Sequence, residues 1–219
     1  MHACCVLRAR ACVCVLRRYL SSAMDLGSLH PLPYESIHPT NKAELARRLA
    51  LGMRSALLGE RTVFRGPTPK AATWQWHASS ATTAPRVSGE ATITFDVHAG
   101  AGGLALDATA ACPSVVLDVY CRRTQLLGFE IQTSSSAGTE GDDDGSGAWE
   151  APARVALSST ETDTVVLTAK DGSARISRVR YAYSDWPVVS LRNQEGGEGE
   201  QGARGGLPAR LFDIGVSYS

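Results

Sequence analysis

Ile37-His38-Pro39 sets an imidazole on a loop just ahead of an amphipathic segment. In such a setting a rigid element can present a group that exchanges protons near neutral pH. The tetrapeptide Ser36-Ile37-His38-Pro39 has a twin in Ser28-Leu29-His30-Pro31, and the Pro, Ser and His content from Asp25 to Pro39 suits an exposed loop. A loop histidine alone is weak grounds for catalysis, because most are solvated surface groups. His38 therefore depends on what surrounds it.

Other reactive residue types give less. Of six cysteines, Cys4, Cys5, Cys12 and Cys14 crowd the first fourteen residues, and Cys12-Val13-Cys14 is too tight for a zinc knuckle. Cys112 and Cys121 would close a small loop if their segments pair in an oxidising compartment, or serve as two small buried hydrophobes. Asp142-Asp143-Asp144 lies among Gly and Ser without the spaced ligands and final Glu of a calcium loop, so it reads as solvated linker. No metal and no cofactor is expected. Trp74 and Trp76 alternate along a strand-like segment and so share one face, where they would either stack on a sugar or bury. Trp186-Pro187 after an Arg-Tyr-Ala-Tyr segment fits a core cap better than a sugar platform.

The elements that must position these residues are legible. Asn41 with Glu44 three residues on forms a capping box, Leu45, Leu49, Met53 and Ala56 recur on one helical face, and Gly59 is a stop. The opposite face, with Arg47, Arg48 and Arg54, reads as solvated, with a modest Glu44–Arg48 surface pair. From Val63 onward the period falls to two. Strands are expected at Ala91–Val97, Val115–Tyr120, Gly128–Thr133, Arg154–Leu157, Thr164–Ala169 and Ser177–Tyr183, the spacing of an antiparallel sandwich. Thr133–Gly147 and Gln194–Gly206 have the composition of disordered loop insertions.

Several ordered segments carry a family likeness. Met24-Asp25-Leu26-Gly27, Ser36-Ile37-His38-Pro39-Thr40-Asn41-Lys42 and Arg48-Leu49-Ala50-Leu51 resemble the last conserved block of the SGNH-type sialate O-acetylesterases. Arg65-Gly66-Pro67, Leu127-Gly128-Phe129-Glu130-Ile131, Val179-Arg180-Tyr181-Ala182-Tyr183-Ser184-Asp185-Trp186-Pro187 and Gly206-Leu207-Pro208-Ala209 resemble that family's C-terminal β-domain, in the family's order. The likeness spans residues 24–214 and matches weakly between these anchors.

The resemblance implies an α+β chain: the last helix of a flavodoxin-like SGNH hydrolase domain, then an antiparallel β-sandwich. It divides the chain into an unstructured or misannotated leader (1–23), a hydrolase remnant with the catalytic-histidine loop (24–60) and the sandwich (61–216). It makes His38 the general base for a serine much earlier in the family's chain. Glu35, three residues before His38, matches an Asp-x-x-His spacing with Glu for Asp, and is ranked slightly ahead of Asp25 as the acid that orients the ring. No Gly-Asp-Ser and no Gly-x-Ser-x-Gly occurs in the 219 residues, so the nucleophile and its oxyanion donors are expected to be absent. The chain alone should then hydrolyse little.

Charge and composition are consistent with this. Lys plus Arg equals Asp plus Glu at 22 each, so no summed field favours nucleic acid or an anionic membrane. Residues 1–24 hold four arginines and no acid, which break the apolar residues into runs too short to span a bilayer. That leader fits a presequence or, better, a mis-set translation start. The implied partners are an O-acetylated sugar and the missing hydrolase domain, and the implied location is lysosomal or secreted, though no clean signal peptide is present. The rival function is a non-catalytic β-module that binds carbohydrate or docks on a hydrolase domain.

Overall fold

A computed structural model describes residues 23–26, 41–78, 87–99, 101–112, 125–134, 147–171, 174–184, 187–194 and 206–218. Within them a 3-10 turn at Met24–Leu26 precedes a single α-helix, α1 (Lys42–Leu58), and ten strands follow. These are β1 (Thr68–Ala78), β2 (Val87–Asp96), β3 (Leu104–Leu106), β4 (Phe129–Ser134), β5 (Arg154–Leu157), β6 (Thr164–Thr168), β7 (Arg175–Tyr181), β8 (Leu191–Asn193), β9 (Phe212–Gly215) and β10 (Ser217–Tyr218).

The strands form a five-stranded sheet ordered β10-β1-β2-β6-β5, a three-stranded sheet β4-β7-β9 and a two-stranded sheet β3-β8. All neighbours are antiparallel except β1 and β10, which run parallel. The described chain is thus α+β and dominated by antiparallel sheet. The core lies where the two larger sheets face each other. Alternate residues Ala91, Ile93 and Phe95 of β2 and Val165 and Leu167 of β6 bury from one side, and Phe129, Ile131, Val179, Tyr181 and Phe212 from the other. Phe95 meets Phe212 edge-on across this interface with ring centroids 5.8 Å apart.

The predicted strands at 91–97, 128–133, 154–157, 164–169 and 177–183 appear as β2, β4, β5, β6 and β7 with shifted ends, while 115–120 lies outside the described residues. Trp74 and Trp76 do share a face, with rings 5.3 Å apart and edge-on. They separate in burial, Trp74 entering the core at 2% exposure and Trp76 staying 47% exposed at its rim. Gly89 on β2 admits the Trp74 indole, since a methyl there would overlap the ring.

The caps of α1 are as the sequence predicts. The Asn41 side chain accepts the Glu44 N–H at 3.0 Å, and Gly59 ends the helix at φ 68°. Its orientation is not. Arg48, expected in solvent, is buried with Gly52, whereas Leu49, Met53 and Leu57 face outward at 43%, 49% and 60% exposure. The inward side meets a carboxylate, and the guanidinium turns toward it.

Candidate functional site

His38 and Glu35 both lie outside the described residues, between two elements that the structure does describe. One is the 3-10 turn carrying Asp25, and the other is α1. The junction that ties both to the β-body is therefore the part of the candidate site with defined geometry.

Asp25 is its centre. Arg48 of α1 donates from Nη1 to Oδ1 and from Nη2 to Oδ2, both at 2.7 Å, a bidentate fork. Arg192 of β8 donates from Nη2 to Oδ2 at 2.8 Å. Arg48 also donates from Nε to Glu44 at 2.7 Å, so the expected pair forms, but as one edge of a buried network. Burial is the largest single influence on the Asp25 carboxyl and opposes its ionisation. The hydrogen bonds and charges of Arg48 and Arg192 together outweigh burial and hold the group below the usual carboxylate range. Three of the four lone-pair directions of Asp25 are thereby occupied. The carboxylate joins helix to sheet, and Met24 beside it packs on the hydrophobic core.

The β side of this junction is built from the segments singled out in the sequence. Arg192 also donates to the Gly206 carbonyl. Neighbouring Asn193, buried, accepts the Leu207 N–H through Oδ1 and donates through Nδ2 to the Arg65 carbonyl. Gly66 approaches Pro208 so closely that a methyl would overlap its carbonyl, and Gly206, at φ 70°, lies equally near the Asn193 carbonyl. Arg65-Gly66-Pro67 and Gly206-Leu207-Pro208-Ala209 thus meet at β8.

A second polar constellation, missed in the sequence, covers the outer face of β4-β7-β9. Alternation places Glu130 and Gln132 of β4, Arg178 and Arg180 of β7 and Asp213 of β9 on that face, in register across the strands. Arg180 donates from Nε and Nη2 to Glu130 at 2.7 and 3.0 Å, and both residues are buried. Trp149 covers them. Glu150 bridges to Ile131 at the edge of β4, and the adjacent indole folds back until its centroid is 4.0 Å from the Arg180 guanidinium carbon. Tyr183 approaches the same carbon at 5.1 Å. The visible signal was the pairing of Glu130 with Arg180 in two strands of opposite sense, but register is needed to bring them opposite.

Elsewhere, Cys112 is disulfide-bonded, with its counterpart outside the described residues. Among the described residues no three His, Cys, Asp or Glu side chains gather as a metal site. None of the described helices is long and apolar enough to cross a membrane. Cys4, Cys5, Cys12, Cys14, Asp142-Asp143-Asp144 and Trp186 lie outside the described residues.

No protein-family model matches the chain. No curated protein matches it either. Among solved structures it is similar to the crystal structure of a novel carbohydrate acetylesterase from Xanthomonas citri. The likeness is to a carbohydrate esterase. It has 25% sequence identity and a TM-score of 0.50, and covers 87% of this chain but 30% of that one. The chain therefore spans less than a third of the length of the enzyme that it resembles.

Proposed function

We propose that this chain is the C-terminal part of an SGNH-type carbohydrate esterase that removes O-acetyl groups from sialic acid or a related sugar, and that it lacks the nucleophile-bearing portion. The observation that carries this reading is the likeness over 87% of the chain to under a third of a carbohydrate acetylesterase. Residues 24–60 are then the end of the hydrolase domain and 61–216 the β-sandwich that follows it.

In the whole enzyme His38 takes the proton from the serine hydroxyl as it attacks the acetyl carbonyl. It returns that proton to the departing sugar oxygen, leaving an acetyl ester on the serine. Water, deprotonated by the same imidazole, attacks that ester, the bond to the serine oxygen breaks, the imidazolium returns its proton to that oxygen, and acetate leaves. Glu35 is favoured as the acid that fixes the ring, because the Asp25 carboxylate already holds Arg48 and Arg192. The role of Asp25 is to fasten the turn before the histidine loop and the helix after it to β8.

The outward apolar row of α1, Leu49, Met53 and Leu57, supports docking on a hydrolase body, the remainder of a protein of which this chain is one piece. A disulfide at Cys112 suits an oxidising location, lysosomal or secreted.

The transcript upstream of the Met1 codon tests this reading. An in-frame Gly-Asp-Ser-type block is expected there, and its absence would favour a free-standing β-module. The 219-residue chain itself is expected to leave p-nitrophenyl acetate at the uncatalysed rate. Turnover that disappears in His38→Ala would contradict the missing nucleophile.

A further inference from the structure

We infer that the outer face of β4-β7-β9 is a binding site for a neutral pyranose, built from Tyr183, Trp149, Arg178 and Asp213. One face of an antiparallel sheet normally meets water, so polar residues there need no special cause. Here, however, Glu130, Gln132 and Arg180 are buried at 1%, 4% and 5% exposure. Burying an ion pair costs desolvation that an apolar pair would avoid. The pair has a visible effect: the guanidinium, fixed by Glu130 on its edge, holds Trp149 and Tyr183 at 4.0 and 5.1 Å and so fixes two aromatic rings on the sheet surface.

The second of these rings is aimed outward. Ala182 takes a left-handed conformation, φ 56°, which non-glycine residues rarely adopt, and its N–H is held by the Gly128 carbonyl at 2.9 Å. That turn leaves Tyr183 42% exposed next to Arg180. Arg178 and Asp213 pair at 2.9 Å on the same face, with side chains 42% and 27% exposed, offering a planar donor fork and a carboxylate to solvent.

The ligand class follows from the chemistry. Arg180 is matched by Glu130 and Arg178 by Asp213, so neither pair offers a net charge to phosphate, nucleic acid or an anionic membrane. A pyranose offers an apolar face of C–H groups to an aromatic ring and adjacent hydroxyls that both donate and accept, the complement of the aromatic rings at Arg180 and of the Arg178–Asp213 pair, whose guanidinium carbon lies 5.9 Å from the Trp149 ring centroid.

This inference rests on the carbohydrate reading above only for the choice of probes. Xylohexaose, cellohexaose, mannohexaose and chitohexaose would each be titrated to several millimolar into the ¹⁵N-labelled chain, with the Trp149 indole N–H followed and assigned through Trp149→Phe. One or more is expected to shift that resonance. Tyr183→Ala and Asp213→Ala should each weaken the interaction about tenfold, whereas Trp76→Ala and His38→Ala leave it unchanged. No shift with any of the four, or an unchanged titration in Tyr183→Ala with its other resonances intact, would overturn the site and leave the rings as a cover over a buried ion pair. A shift only with an acidic hexuronate oligomer would overturn the neutral class. Loss of the esterase reading would leave the titration unaffected, and loss of the titration would leave His38 chemistry unaffected.

Discussion

Asp25 shows how a residue that reads as a candidate for chemistry can instead organise it. Its carboxylate is 7% exposed and collects arginines from α1 and β8, so removing its charge leaves two cations without their shared counter-ion. Asp25→Asn is expected to destabilise the chain by about 3 kcal/mol, the range for breaking one side of a buried pair, as read by urea unfolding at pH 7. The pH dependence has a definite sign. The folded carboxyl is held below its ordinary value, so its contribution is complete above the unfolded pKa of about 3.9 and fades as pH falls toward the lower, folded value. Unfolding at a series of acid pH values should therefore show wild type losing stability below pH ~4 faster than Asp25→Asn does. Tyr181 differs: its phenol is pushed up to about 12, mainly by burial, although its oxygen accepts the Leu191 N–H. It plays no part in proton exchange near neutrality.

At the level of elements, the ends of α1 were legible because capping is local chemistry, settled by Asn41, Glu44 and Gly59 themselves. Its facing was not. Leu45, Leu49, Met53 and Ala56 predict an inward row, yet the buried positions are Arg48 and Gly52, because Arg48 pairs with Asp25, 23 residues away in sequence, and Asp25 in turn holds Arg192, 167 residues beyond it. The outward leucines and methionine lead to a direct expectation. Leu49→Glu with Met53→Glu should alter the stability of this chain by no more than ~0.5 kcal/mol, the usual effect of a surface change, measured by thermal unfolding. In a protein that also contains the hydrolase portion, the same pair should lower the unfolding temperature markedly. Strands β2 and β4 to β7 were visible from their alternation. The short β3, β8 and β10 were not, since two or three residues carry no period, and β9, Phe-Asp-Ile-Gly, follows a Gly-rich stretch that masks its alternation.

Across the whole molecule, several of the family anchors within the described residues prove to be neighbours in space. Gly66 lies on Pro208, Gly206 on Asn193, and Glu130 opposite Arg180. Such close backbone contacts explain why glycine is required, and Gly206→Ala is expected to cost at least ~2 kcal/mol through strain at positive φ, checked by chemical unfolding. The outer-face cluster stayed hidden for the complementary reason: Trp149, Arg180 and Tyr183 gain their meaning only through register and a left-handed alanine. His38 remains the residue on which the esterase proposal turns. Its most direct test is acetate release from an O-acetylated sialoside by the full product of the transcript, wild type beside His38→Ala. The proposal predicts a loss on the order of 10³-fold, the contribution of a positioned general base. Acetate release at the wild-type rate in His38→Ala would contradict it.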